Sequence, residues 1–314
     1  MRWPVDAKMD SQARRWWALP EPRPVVPSRP AATVLLVAPA VEGDSADRDG
    51  NAPSPRSATA GLQVFMQQRL DAMAFAPGAL VFPGGGREPH DIDITHTALR
   101  ELYEECGLLL ATDDRGLFPD TTAPQWQARF AAPGEAAQSG GTQARLSIEE
   151  LAAAAGLTLR TDLLRPWARW VTPRHIPRRF DTWFFVVVLP DVQLPGGAAP
   201  RHLDAEAVRS VWVDPADVLA DADAPLLPPT RMTLEELARI ATVAELEAAL
   251  AKPRSLVPQL TELVEIDGRL FMQGPEPDLP TVEAVRPGSP ASPATDDPAV
   301  PTSCSGRTAG REAR

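Results

Sequence analysis

The chain has 314 residues, is 44% hydrophobic and carries a formal net charge of -11, which allows one large domain or two small ones with a sizeable core. The acidity argues against nucleic acid as a partner, because proteins that track phosphate backbones are usually basic. It leaves room for a small phosphorylated substrate, since a bound cation can reverse the local sign of a site.

Two distant cysteines, Cys106 and Cys304, make no disulfide framework and suit a reducing cytoplasm. The longest apolar run, Trp183 to Leu189, falls far short of the ~20 residues that span a bilayer. The N-terminus has no apolar signal core. These features predict a cytoplasmic protein with no membrane partner. Residues 1–29 hold Pro20, Pro22, Pro24 and Pro27 among several charges and read as a disordered arm. Residues 30–273 form the expected domain. Within it Ala32–Val37 and Leu62–Met66 predict a strand hairpin, and Ala79–Phe82 a short strand that stops at Pro83. Thr95–Cys106 reads as a helix, with Gly107 suited to close it. An insertion is expected at about 113–160: a loop over Asp113–Thr142, then Ser147 and Glu150 in capping-box spacing ahead of a helix. Strands are predicted at Trp167–Val171, Thr182–Leu189 and Val208–Val213. Asp214-Pro215 opens a further helix, and Thr233–Ile240 and Val243–Leu250 continue the series. Residues 274–314 are rich in Pro, Ser, Thr, Gly and Ala without a period and read as a disordered tail. The order of elements points to an α/β (or α+β) fold with a mixed sheet.

The chemistry gathers in Phe82-Pro83-Gly84-Gly85-Gly86 and Arg100-Glu101-Leu102-Tyr103-Glu104-Glu105-Cys106-Gly107-Leu108. On a helical wheel Glu101, Glu104 and Glu105 fall within an arc of about 100°, and Ala98, Leu99, Leu102 and Cys106 fall on another face that can bury. Three carboxylates therefore project together, away from the core. Their mutual repulsion, ~0.2–0.5 kcal/mol per pair, is relieved by a hard divalent cation such as Mg²⁺ or Mn²⁺. Arg100 lies close enough to pair with Glu104. Gly84, Gly85 and Gly86 permit a sharp turn and a close approach to a ligand. An acidic helix face alone is ordinarily a solvated surface, and three glycines alone are ordinarily a turn. Their combination at this spacing is what points to a metal–diphosphate platform.

This segment resembles the Nudix hydrolase family, whose box reads G-x5-E-x7-R-E-U-x-E-E-x-G-U with U aliphatic. Arg100 to Leu108 match every fixed position of its second half. The first half departs: counted from Gly85, Asp91 stands in the Glu slot with one extra residue before Arg100, and counted from Gly86 the slot holds Ile92. Further segments are similar to the branch that includes the peroxisomal acyl-coenzyme A diphosphatase and its bacterial relatives. They are Phe75–Gly86, Leu164–Pro173, Arg178–Thr182 and Leu227–Thr230. The resemblance implies an α/β/α sandwich and a metal-dependent hydrolase of a small nucleotide-containing diphosphate, with coenzyme A or acyl-coenzyme A as candidate substrates. It implies Mg²⁺ or Mn²⁺ ligated by Glu101, Glu104 and Glu105, with Asp91 as a shorter carboxylate in the remaining slot and Arg100 orienting the set. Glu104, Glu105 and Glu206 are candidates for the general base.

A basic run, Arg165, Arg169, Arg174, His175, Arg178 and Arg179, stands out in an acidic chain, and Arg binds phosphate bidentately. Arg174, Arg178 and Arg179 are its candidate substrate contacts; the competing reading is an exposed strand face and loop. The family's coenzyme A signature places an Arg four residues before the Gly of G-x3-FPGG; Gly78 fits and Ala74 does not. ADP-ribose, a dinucleoside polyphosphate, or a low-turnover ligand-binding role are the competing readings.

Overall fold

Between Ala31 and Val37 all side chains but Thr33 are buried, a run that only a strand covered on both faces accommodates. The computed structural model describes residues 2–5, 7–40, 61–70, 78–130, 146–189 and 207–274. In chain order it comprises β1 (Arg2–Pro4), α1 (Ala7–Trp17), β2 (Arg29–Pro39), β3 (Leu62–Arg69), β4 (Leu80–Val81), β5 (Gly84–Gly86) and α2 (Ile94–Cys106). Then come β6 (Ala111–Thr112), α3 (Pro124–Phe130), α4 (Ile148–Ala155), β7 (Thr158–Leu159), β8 (Arg165–Val171), β9 (Phe180–Val188) and β10 (Ala207–Val213). The remainder is α5 (Pro215–Ala220), α6 (Pro228–Leu237), α7 (Val243–Leu250), β11 (Gln259–Leu260), β12 (Glu262–Ile266) and β13 (Arg269–Gln273).

The main sheet is mixed, in the order β10-β3-β2-β9-β8-β11. β2 runs parallel to β9 and antiparallel to β3, and β8 runs antiparallel to β9. One edge of β2 serves two partners. Its C-terminal half pairs with β3, and its N-terminal half, Ala31–Thr33, pairs with the glycine strand β5. Helices cover both faces, as the α/β reading requires. Ala32, Val34, Leu36, Trp183, Phe185 and Val187 bury against α2, α3 and α4. Leu35, Val37, Val64, Met66, Phe184 and Val186 bury against α5, α6 and α7.

α2 forms where the apolar period and caps predict. Asp93 accepts from the amides of Thr95 and His96 at its start, and Gly107 takes the left-handed conformation (φ 65°) at its end. The capping box of Ser147 and Glu150 opens α4. α6 begins at Pro228, with prolines in its first turn, and ends at Leu237, earlier than expected at both ends.

Three expectations need correction. The N-terminal arm is not disordered over its length. β1 pairs antiparallel with β13, and Ala13, Trp16 and Trp17 of α1 pack with Leu263, Leu270 and Met272 in a small separate core. Tryptophans among prolines supply apolar area that composition alone undervalues. The loop expected over Asp113–Thr142 contains α3, held to α2 where Trp126 Nε1 donates to the Tyr103 hydroxyl at 2.9 Å. The chain also continues past Leu250 into three strands the sequence reading lacked. The polar loop 44–57, Glu206 and the tail from Pro275 lie outside the described residues.

Candidate active site

α2 crosses the sheet beside β5, and the glycines are what permit that approach. A Cβ on Gly85 would stand 2.3 Å from the Glu101 carboxylate. Gly84, at φ 153°, is more constrained still: a Cβ there would stand 2.3 Å from the Ala32 carbonyl oxygen. Gly86 has room, with the Phe180 ring 3.8 Å away. The Gly84 amide donates to Glu105 at 3.0 Å, so the strand also holds one of the carboxylates.

Arg100 is buried and organises the cluster. Its Nε and Nη2 meet the two oxygens of Asp91 at 3.0 Å each, Nη1 donates to Glu101 at 2.8 Å and to Glu104 at 3.2 Å, and Nη2 also reaches the Gly86 carbonyl at 2.9 Å. Burial works against its charge, yet the Asp91 hydrogen bonds and the neighbouring carboxylates hold its guanidinium above the usual arginine range. Burial likewise pushes the Glu101 carboxyl up, to about 7, with Arg100 opposing and the Glu104 charge adding. Glu101 thus does not project away from the core, as expected from the wheel; β5 covers it.

Asp91 and Ile92 compete for the same slot in the sequence, and burial separates them. Ile92 is 65% exposed and Asp91 is 2% exposed. Asp91 accepts from the Glu88 amide and the Thr97 hydroxyl besides Arg100. Burial tends to raise its carboxyl, but the Arg100 and Glu88 hydrogen bonds and the Arg100 charge outweigh it and hold the group low. Both Asp91 oxygens thus accept from Arg100, and the carboxylate anchors that guanidinium.

The carboxylates of Glu101, Glu104 and Glu105 offer hard oxygen donors of the kind a divalent cation takes. Among the described residues no three His, Cys, Asp or Glu side chains are already gathered as a metal cage. Arg100 lies between Glu101 and Glu104 and bridges them.

The basic run does not converge. Arg169 pairs with Asp181 at 2.6 Å and covers the Trp183 ring, and Arg165 donates to the Leu250 carbonyl. Arg179 is buried and donates to the carbonyls of Thr172 and Val26, so it ties a loop together instead of facing a phosphate. Arg174 is exposed on the β8–β9 loop. Arg178 is exposed too, and its guanidinium lies over Phe180, the ring that faces Gly86.

Residues 57–137 match the family model described as NUDIX domain. This chain resembles a NUDIX domain over those residues. It is similar to the provisionally named nudix hydrolase 7 of Caenorhabditis elegans, 27% identical over 58% of this chain and 57% of that protein. A shorter stretch is 49% identical to the peroxisomal coenzyme A diphosphatase NUDT7 of Mus musculus, covering 15% of this chain and 20% of the mouse protein. The match therefore spans little more than half of the first curated relative's length and a fifth of the second's. Among solved structures, a NUDIX hydrolase from Alicyclobacillus acidocaldarius is 28% identical, with a TM-score of 0.52 over 72% of this chain and 97% of that one. The likeness to that solved structure covers the α/β architecture well beyond the matched residues. The small core of α1, β12 and β13 lies beyond the matched residues, and the tryptophans at 16 and 17 were the sequence signal for it. Among the described residues no helix is long and apolar enough to cross a membrane.

Proposed function

We propose that this chain is a divalent-metal-dependent hydrolase that cleaves the diphosphate linkage of a nucleoside diphosphate derivative. The observation that carries the reading is the buried Arg100, anchored on Asp91 and Gly86 and holding Glu101 and Glu104, while Glu101 and Glu105 meet the glycine strand. Glu101, Glu104 and Glu105 would hold the cation, Mg²⁺ or Mn²⁺. When bound, such an ion neutralises phosphoryl charge and makes its water more acidic.

The chain's own part is to position and to take a proton. Arg100 fixes the carboxylates so that little reorganisation is needed at the moment of reaction. The Glu101 carboxyl, raised by burial, gives up its proton readily when positive charge arrives. Gly84 and Gly85 let β2 and α2 close around these carboxylates. Water adds to one phosphorus, the bridging phosphorus–oxygen bond breaks, and two phosphate monoesters leave. Glu104 and Glu105 are the candidates for accepting the water's proton, with Glu206 as a third. Arg178, exposed and lying over the Phe180 ring, is the candidate contact for a substrate phosphate.

Coenzyme A or an acyl-coenzyme A is the favoured substrate, supported by the short similarity to the mouse coenzyme A diphosphatase. ADP-ribose and dinucleoside polyphosphates are the second reading, favoured by Ala74 in the place of the coenzyme A signature's Arg. The deciding experiment is a panel of coenzyme A, dephospho-coenzyme A, ADP-ribose and diadenosine polyphosphates with Mg²⁺, Mn²⁺ or excess chelator, products identified by mass. Turnover that persists in chelator overturns the proposal.

A further inference from the structure

Residues 172–179 join β8 to β9, and Thr172 and Phe180 close the base of this loop. The Thr172 amide donates to the Phe180 carbonyl at 2.9 Å, and the Phe180 amide donates to the Thr172 hydroxyl at 3.0 Å. The rest of the loop leans on the N-terminal arm. Gln12 of α1 donates to the His175 carbonyl at 3.1 Å, and the His175 ring tilts against Trp16 with 6.3 Å between centroids. A cavity of roughly 300 Å³ remains between arm and loop, with Trp16, Arg174 and His175 on its wall. The loop is therefore seated here by a few contacts and not by close packing, and it has room to shift when they are lost.

Arg179 is the pin between the two. It is 8% exposed, its Nε donates to the Thr172 carbonyl at 3.0 Å, and its Nη1 donates to the Val26 carbonyl of the arm at 2.7 Å. Its own carbonyl accepts from the Arg29 amide at 2.9 Å. Burial and the Arg174 charge hold its guanidinium below the usual arginine range, with Asp181 opposing. A charge buried against such a cost needs strong partners, and the two carbonyls supply charge-assisted bonds. The residues on either side of the pin reach towards the glutamate cluster. The Phe180 ring lies 3.8 Å from where a Cβ on Gly86 would stand, and the exposed Arg178 guanidinium lies 5.3 Å from that ring's centroid. The Gly86 carbonyl in turn accepts from Arg100 at 2.9 Å. A continuous set of contacts thus runs from Val26 through Arg179, Phe180 and Gly86 to Arg100.

We propose that Arg179 is a positioning residue: by pinning the β8–β9 loop to the N-terminal arm it sets Phe180 and Arg178 beside the Gly86 end of the glycine strand, and so sets the binding of the diphosphate substrate. It meets no substrate itself. A contact residue held in place before the substrate arrives loses less freedom on binding, and that gain appears in affinity. The inference rests on the hydrolytic reading and on Arg178 as the phosphate contact.

The test is a double-mutant cycle in the full chain, with KM and kcat measured on coenzyme A, or on ADP-ribose where that is the diphosphate turned over. Arg179→Met keeps the reach of the side chain and removes both bonds. KM should rise about tenfold with kcat nearly unchanged, the pattern of lost binding alone. In an Arg178→Ala background the same change should move KM less than about twofold, because residues that act through one another are not additive. Arg179→Lys, which still donates to a carbonyl, should recover part of the loss. Gln12→Ala loosens the loop from the arm without touching Arg179; it should raise KM in the same sense, and it decides if the Arg179 variants fail to fold. An unchanged KM overturns the proposal, and so does a tenfold rise that persists without Arg178. A wild-type chain that turns over no diphosphate is a failure of the hydrolytic reading and not of the pin, and hydrogen exchange then decides. Loss of the pin should speed exchange of the amides over 84–87 as well as 173–179, and a change confined to 173–179 overturns the proposal.

Discussion

Asp91 grips Arg100 from the side, one carboxylate oxygen on Nε and the other on Nη2, with the two side chains 0% and 4% exposed. Breaking a buried pair by removing one partner strands the other charge. Asp91→Ala should therefore cost about 3 kcal/mol, a fall of roughly 10 °C in Tm. Ile92→Ala, at the exposed neighbour, should change Tm little. Thermal melts of the two variants check which residue fills the slot, and equal effects would return the question to the sequence.

The three glycines should fail in three different ways. At Gly84 an added Cβ meets backbone in a left-handed conformation, so Gly84→Ala should destabilise the fold. At Gly85 it meets the Glu101 carboxylate that Arg100 holds, so Gly85→Ala should lower kcat above all, with a smaller loss of Tm than Gly84→Ala. At Gly86 it meets an ordinary contact distance, so Gly86→Ala should be mild in both. Melting and turnover measured side by side separate the three.

Glu→Gln keeps shape and removes charge. Glu104→Gln and Glu105→Gln should each lose at least ~10²-fold in turnover, about 2.7 kcal/mol of barrier. Glu247, exposed on α7, is the control. Glu149 would be a poor one, because it lies 3.6 Å from the His96 ring. Unchanged turnover in both variants would make α2 a solvated face.

His175 predicts the pH dependence of stability. Burial lowers its pKa to about 4, from an ordinary value of 6.5. The folded state thus binds fewer protons than the unfolded one across that window. Its contribution is fully present above about 6.5 and is lost as pH falls towards 4. Trp16, Gln12 and Arg174 face or adjoin the ring, with Glu21 and Glu262 across the cavity. His175→Leu should flatten the dependence of Tm on pH between 6.5 and 4. A slope unchanged by the substitution would assign it to other groups.

Arg178 and Arg179 are adjacent in sequence and should behave differently. Arg179 satisfies two backbone carbonyls, so Arg179→Ala should lower Tm. Arg178 is exposed, so Arg178→Ala should leave Tm alone and cost ~1.5–3 kcal/mol in kcat/KM if it meets a substrate phosphate. A loss on coenzyme A but not on its dephospho form or ADP-ribose would assign Arg178 to the ribose phosphate. A uniform loss would assign it to the diphosphate.

Much of the site was legible because its signals are local. The wheel placed Leu99, Leu102 and Cys106 on the buried face of α2, and each is 0% exposed. The Gly107 cap follows from backbone conformation alone. What the wheel could not supply was the partner across the face. Glu101 is covered by a strand fifteen residues or more upstream, and that pairing is a tertiary fact. The basic run misled for a related reason: charge in a sequence says nothing of which carbonyls a guanidinium will meet, and Arg179 met two. The arm misled because proline content suggested disorder, while its tryptophans found apolar partners some 250 residues away in sequence.

That distance has a consequence for how the chain is made. Arg2 bonds to Gln273 across a separation of 271 residues. Contacts so remote close late, because the whole intervening chain must first be in place. During synthesis the apolar face of α1, with Ala13, Trp16 and Trp17, would wait uncovered until residues 262–273 had left the ribosome. A nascent chain would therefore carry sticky surface on α1 throughout the synthesis of everything between α1 and β12. Trimming the chain to begin at Pro30 would leave the converse problem, with Leu263, Leu270 and Met272 bare in the finished protein. Pauses in translation before residue 262, or loss of holding chaperones, should raise aggregation more in the full chain than in one lacking both α1 and the β12–β13 hairpin.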